Sequence, residues 1–362
     1  MKQSYTLRHQ QISSRCRCTH PKLHRSRYIT QIRCAAGDSL RLFSPSKINV
    51  FLRVVRRRED GFHDLASLFH VIDLGDNMSF QQLSGSSTSD QLICNVPDVP
   101  TDASNLVIKA FNLFRNKTGI KATFKCDLQK TVPHGAGLGG GSGNAATALW
   151  AANELTGRPA SVEDLLTWSG DIGSDISVFF SQGAAYCTGR GEVVEEVQPP
   201  LPLSTPMLLV KPPVGLSTPE IFKALDLGRR STADPKALLE GLKQSREVSP
   251  LLTVNDLEQP AFDRLPALKE LKDKLAAVTI RRSNYINNNS NSNNKKEGEL
   301  AYDSVFMTGS GSTIVCIGSD EVPEFLTEEP QYRDLFISPA RFITRKPGKW
   351  YEKSTEYSRG SG

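Results

Sequence analysis

The stretch Pro133-His-Gly-Ala-Gly-Leu-Gly-Gly-Gly-Ser142, running on into Gly143-Asn-Ala-Ala-Thr-Ala-Leu-Trp150, restricts this chain more than any other. Gly135, Gly137, Gly139, Gly140 and Gly141 crowd into one short run. Glycine lacks Cβ and reaches positive φ cheaply, so the run predicts a tightly bent backbone with exposed N–H groups. The segment after it reads as a helix, because Ala145, Leu149, Ala152 and Leu155 keep helical spacing among good helix formers. Ser142 and Asn144 are candidate caps, and Thr156-Gly157 followed by Pro159 ends the segment. A glycine loop feeding a helix start offers free N–H donors and the positive end of the helix dipole, and phosphate is the natural guest.

Two familiar phosphate loops do not fit. No Gly-Lys-Ser/Thr closes the run, which excludes a P-loop. A dinucleotide fingerprint fits literally at Gly135, Gly137 and Gly140, but it should follow a buried parallel strand of continuous apolar residues. Here Phe124, Cys126 and Leu128 alternate with Lys125, Asp127 and Gln129, which predicts a half-exposed antiparallel strand. No second strand ending in a ribose-binding acid follows.

Other stretches carry chemistry-bearing side chains. In Ser44–Val55, Ile48, Val50, Leu52 and Val54 alternate with Lys47, Asn49, Phe51 and Arg53, giving a strand with one apolar face. From this stretch alone, Lys47 and Asn49 read as a solvated face. Asp60-Gly61-Phe62-His63 is a turn entering a second element. Asp175 stands between a Gly-Ser turn and an apolar run; it reads either as a helix N-cap or as a partly buried carboxylate whose partner would be Lys47. Thr218-Pro219 opens a helix containing Phe222, with Thr218 as its N-cap. Thr308-Gly-Ser-Gly-Ser312 joins two strands.

These ordered motifs resemble the GHMP kinases, the family of galactokinase, homoserine kinase and mevalonate kinase. The form Gly-Gly-Gly-Ser-x-Asn-Ala-Ala, with Pro-x-Lys-Ile-Asn-x-Phe-Leu before it, resembles the branch acting on a cytidine-diphosphate-linked methylerythritol. The resemblance covers roughly residues 44–345. It implies an α+β fold in two parts, 38–203 and 204–345, with the active site in the cleft between the halves. It implies ATP bound by Pro133, Gly135, Ala136, Gly137, Leu138, Gly139, Gly140, Gly141, Ser142 and Gly143, with Mg²⁺ carried by the phosphates and not by dedicated protein ligands. Asp175 would be the catalytic base and Lys47 would lie beside the acceptor hydroxyl. Asn49, Phe62, His63, Thr218 and Phe222 would contact the substrate, with Phe62 and Phe222 facing cytosine and His63 bonding its polar edge. Phe62 stands where the branch usually has Tyr; stacking survives that change, a hydroxyl contact does not. Gly143 stands where the branch usually has Ser, removing a hydroxyl from the helix start; weaker nucleotide binding is the expectation. The alternatives are another small-alcohol kinase of the family, or an inactive nucleotide-binding relative.

Composition bounds the rest. With 38% hydrophobic and 23% charged residues, the chain is ordinary globular material. No apolar stretch approaches the ~20 residues of a membrane span. Of the 44 Lys and Arg, eight fall in residues 1–37, which hold no Asp or Glu; the other 36 face 39 acidic residues. The basic balance therefore belongs to the leader and argues nothing for nucleic acid. An Arg-rich, acid-free, serine-bearing leader without an apolar core has transit-peptide composition, and the resemblance implies the chloroplast. Seven Cys show no metal-ligand spacing and read as reduced, mostly buried thiols. The Asn-rich run 283–296 reads as a disordered insertion. Residues 346–362 read as a loose polar tail. The implied partner is a small molecule, with no nucleic acid and no membrane; the oligomeric state stays open.

Overall fold

The computed structural model describes residues 39–84, 87–280 and 298–353. The leader over 1–37, the Asn-rich run 283–296 and the last residues of the tail lie outside the described residues. The first part of the chain runs β1 (Leu40–Arg57), β2 (His63–Gln82), β3 (Gln91–Cys94), α1 (Leu106–Thr118), β4 (Phe124–Gln129), α2 (Gly140–Leu155), α3 (Val162–Ser169), β5 (Ala184–Gly189) and β6 (Val193–Glu196). The second runs β7 (Met207–Lys211), α4 (Thr218–Ala224), α5 (Pro235–Ser245), α6 (Glu258–Arg264), α7 (Pro266–Ala276), β8 (Ser304–Met307), β9 (Ile314–Ile317), α8 (Glu324–Glu328) and β10 (Phe336–Ala340).

Two sheets result, giving the expected α+β architecture. In the first, β1 and β2 form a long antiparallel pair. The free edge of β2 takes β5 along residues 65–70 and β4 along residues 77–82, both antiparallel. β3 extends β4 in parallel and β6 extends β5. The second sheet has the order β10-β7-β9-β8, with every pair antiparallel. β4 keeps the alternating burial that its sequence pattern predicts. The flanks of the Asn-rich run pair with each other, Ile280 N–H donating to Glu299 O at 2.9 Å.

β1 departs from the expectation of a solvated face. Residues 43–54 are buried on both sides. One reason is that the second sheet packs over the strand: Ile48, Val50 and Phe51 share a core with Leu209, Phe306 and Val315. A charged residue in that setting needs a partner. Arg53 finds Asp256 at 2.9 Å, and Lys47 is paired in the cleft.

α2 is buried all round from Gly143 to Asn153. Its alanines permit this, since a helix with no polar face must sit inside the core. Neither Ser142 nor Asn144 caps it. The N-cap is Gly139, in the left-handed region at φ 66°, with no side-chain cap bond. Asn144 instead donates to Ser44 Oγ and to Asp76 Oδ2, both at 2.9 Å. Gly143 faces β1, where an added Cβ would lie 2.3 Å from the Pro45 carbonyl oxygen. The expected role of this position in nucleotide binding is therefore corrected. A side chain at 143 would start into the helix–strand contact, and Gly143 does not line the cleft.

The tail reading also needs correction. Trp350 and Tyr351 are buried against the first-sheet core. Trp350 Nε1 donates to Phe43 O at 2.9 Å, Tyr351 Oη donates to Ser181 O at 2.7 Å, and Arg345 donates to the carbonyls of Phe180 and Ser181. One indole and one phenol supply apolar area that the surrounding Lys, Arg and Gly had masked in the sequence.

Gly143→Ser should lower folding stability by about 1–3 kcal/mol, the usual cost of overpacking, read as a lower denaturant midpoint. An unshifted midpoint would contradict the close helix–strand contact. Deleting residues 345–362 should lower the melting temperature by several degrees; an unchanged melting temperature would count against the C-terminal anchor.

Candidate active site

The glycine loop is clamped from two sides. Lys47 N–H donates to Leu138 O at 2.9 Å, and Thr313 N–H donates to Ala136 O at 3.3 Å. At Gly137 the loop lies so close to the β8–β9 turn that a Cβ would meet Thr308 O at 2.4 Å. That contact, with φ at 73°, makes glycine necessary there. The first intrahelical bond of α2 is Gly143 N–H to Gly139 O, 2.8 Å, so the N–H groups of Gly140, Gly141 and Ser142 have no partner in the helix. The first turn contains no acid and no side-chain cap. Such a terminus keeps its donors for an anion.

The supports of this loop are polar and buried. Asp76 on β2 accepts from the N–H groups of Thr131 and Val132 at 2.7 and 2.9 Å, and from Lys130 Nζ at 2.5 Å. With the Asn144 bond, one carboxylate ties the entry of the loop to the start of α2. Across the cleft, Asn255 Nδ2 donates to the carbonyls of Met307 and Gly309 at 2.7 and 2.8 Å, and holds the turn that backs Gly137.

Lys47 projects from β1 directly under the loop. Its Nζ donates to Asn49 Oδ1 at 2.8 Å and to Gly137 O at 3.1 Å, and lies 3.4 Å from Asp175 Oδ2. The stem packs on Gly139, where a Cβ would fall 2.8 Å from Cε. Asn49 is itself fixed, donating from Nδ2 to Ser67 Oγ at 2.8 Å and from its backbone N–H to Thr308 Oγ1 at 2.8 Å. Asp175 is not an N-cap; the 3-10 turn Ser177–Phe180 is preceded by Ile176 in that position. The Asp175 side chain is 37% exposed against 3% for Lys47. The carboxylate thus keeps a free edge toward the cleft while the ammonium is enclosed.

The far end of the cleft is aromatic. Phe62, at the tip of the β1–β2 hairpin, is 56% exposed, and the Arg190 guanidinium lies over its ring at 5.4 Å. His63 and Phe222 stack on each other at 5.3 Å. Partial burial, then the charge of Arg57, lower the His63 pKa from its ordinary value, which favours the neutral ring with one donor and one acceptor nitrogen. Thr218 is not the α4 cap, a position held by Ser217; its Oγ1 bonds Ser310 Oγ at 2.6 Å.

A single cavity of about 1600 Å³ joins these parts, lined by Lys47, Asn49, Asp175, the loop from Pro133 to Ser142, and Phe62, His63, Thr218 and Phe222. That exceeds the ~300–1,000 Å³ of a site for one small ligand, so two substrates can lie end to end. Gly143 does not line it. Sequence reasoning missed Asp76, Lys130, Asn255 and Arg190. Lys130, three residues before Pro133, and Arg190, between two glycines, carried a local signal; Asp76 and Asn255 act through partners remote in sequence.

Residues 105–183 match the family described as GHMP kinases N terminal domain. The chain is 52% identical over 314 residues to the 4-diphosphocytidyl-2-C-methyl-D-erythritol kinase, chloroplastic, of Arabidopsis thaliana, covering 87% of this chain and 76% of that one. With the enzyme of the same name from Oryza sativa subsp. japonica it shares 54% over 314 residues, 87% of this chain and 73% of that one. A crystal structure of 4-(cytidine 5'-diphospho)-2C-methyl-D-erythritol kinase superposes with a TM-score of 0.63 at 28% identity, over 84% of this chain and all of that one. Homoserine kinase from Cytophaga hutchinsonii superposes at 0.61 with 16% identity over 85% and 95% of the two chains, a likeness of fold alone. With the glycine loop, the amine–acid pair and the aromatic end in one cleft, and with identities above one half over most of its length, the chain belongs to the 4-diphosphocytidyl-2-C-methyl-D-erythritol kinases, a branch of the GHMP kinases.

Proposed function

We propose that the chain transfers the γ-phosphoryl group of ATP to the 2-hydroxyl of 4-diphosphocytidyl-2-C-methyl-D-erythritol, in the methylerythritol phosphate route to isoprenoid precursors. The observation that carries this reading is the Lys47–Asp175 pair, 3.4 Å apart at the mouth of the glycine loop. The loop N–H groups would receive the phosphates, with the helix dipole opposing charge that builds during transfer. Asp175 would accept the hydroxyl proton as the oxygen–phosphorus bond to the acceptor forms and the bond to ADP breaks. Lys47, oriented by Asn49, would hold the hydroxyl in line. Such catalysis is chiefly positioning and charge stabilisation.

Mg²⁺ would neutralise charge shared between the phosphates. Among the described residues no group of three His, Cys, Asp or Glu gathers to bind a metal. Ser142 and Asp175 line the cleft and would be the side chains to meet a cation carried by the nucleotide.

At the acceptor end, Phe62 and Phe222 offer ring faces to cytosine, and neutral His63 offers a donor and an acceptor to its polar edge. The leader composition, and relatives whose names include "chloroplastic", support import into the plastid stroma. The halves 38–203 and 204–345 then each supply one wall of the site.

Asp175→Ala should lower turnover by at least ~100-fold with the acceptor KM little changed, measured by ADP release from the purified protein; near-normal turnover would remove it as the base. In the same assay, the cytidyl acceptor should be used in strong preference to homoserine or mevalonate. Preference for either of those would overturn the substrate assignment.

A further inference from the structure

The proposed acceptor presents a problem of charge. Its diphosphate lies between the base and the reacting alcohol, so it must cross the cleft between the aromatic end and Asp175. The cations lining that cleft are Lys47, Arg57, Lys130, Arg190 and Lys223. Lys47 is engaged by Asn49, Gly137 and Asp175, and Lys130 by Asp76 and Asn144. Arg57 and Lys223 are exposed, whereas Arg190 is half-buried.

Arg190 stands at the seam. Its guanidinium lies over Phe62 at 5.4 Å. The next residue, Gly191, abuts the catalytic turn, where a Cβ would meet Asp175 Oδ1 at 3.4 Å. Among the described residues the Arg190 side chain pairs loosely, with Glu192 Oε1 at 3.5 Å. That carboxylate is already committed to the backbone, accepting Arg190 N–H at 2.6 Å. A guanidinium presents a planar fork of donors suited to two phosphate oxygens at once. Leaving the Phe62 ring would also uncover a face for the base.

We propose that Arg190 is a specificity-determining residue that pairs with the diphosphate linking cytidine to the acceptor alcohol, and that it vacates the Phe62 ring as the base arrives. This rests on the acceptor assigned above. It explains how a cleft closed to neither end could select a nucleoside-diphosphate-linked alcohol over a free one: the free alcohol leaves Arg190 and the aromatic faces without partners.

The test uses the full chain and its Arg190→Met and Arg190→Lys variants, with CDP and cytidine as calorimetric probes. For Arg190→Met, CDP affinity and acceptor KM should worsen at least ~10-fold, as expected for a lost bond to a charged group. Cytidine affinity, the ATP KM and kcat should stay within about threefold, and Arg190→Lys should recover part of the loss. Unchanged CDP affinity would overturn the proposal, as would equal losses for CDP and cytidine, which would place Arg190 on the base. Should Arg190→Met not fold, Arg190→Gln provides the same comparison. If the wild type binds CDP more tightly than cytidine through Arg190 yet phosphorylates no cytidyl acceptor, the functional reading fails and the diphosphate site stands.

Discussion

An enclosed ammonium is the constraint on which the site depends. Lys47 is buried in a strand whose two faces are both covered, and a cation there is costly unless its donors are used. Three acceptors use them: the Asn49 side chain, the Gly137 carbonyl and Asp175. Each belongs to a different part of the chain, so satisfying one amine fixes β1, the glycine loop and the turn that carries Asp175 relative to one another. The residues that look catalytic are also those that hold the cleft together.

The loop's glycines divide by task. Gly137 admits the β8–β9 turn, Gly139 admits the Lys47 stem and begins α2, and Gly143 admits β1. These are close approaches of backbone or side chain to backbone. They leave the amides of Gly140, Gly141 and Ser142 as the donors facing the cleft. Asp76 completes the arrangement by satisfying two loop amides, Lys130 and Asn144 from one buried carboxylate. A polar network of this kind gives rigidity only when each member is paired, which suits a cradle meant to be preorganised.

Local patterns made much of this legible. Alternation announced β1 and β4, periodicity announced α1 and α2, and glycine crowding announced the bent loop before α2. Order of motifs added the pairing of Lys47 with Asp175, which no spacing could supply across so long a separation. What stayed hidden was tertiary. The polar face of β1 looks solvated until the glycine loop closes over Lys47 and Asp256 reaches Arg53. Gly143 looks like a missing hydroxyl until the Pro45 carbonyl occupies the space. Trp350 and Tyr351 sit in a polar context and become core only because Phe43, Ser181 and Trp150 wait for them. Asp76 carries no signal at all, since its four partners come from a loop and a helix more than fifty residues on.

The central claim is that Lys47 and Asp175 act as one unit on the transferred phosphoryl group. A double-mutant cycle on the single-turnover transfer rate, with Lys47→Met, Asp175→Asn and the pair, tests it most directly, because groups acting together lose their effects non-additively. The account predicts that the double variant is no slower than the worse single one. Multiplicative losses would mean that the two side chains serve separate steps, and the shared site described for them would be wrong.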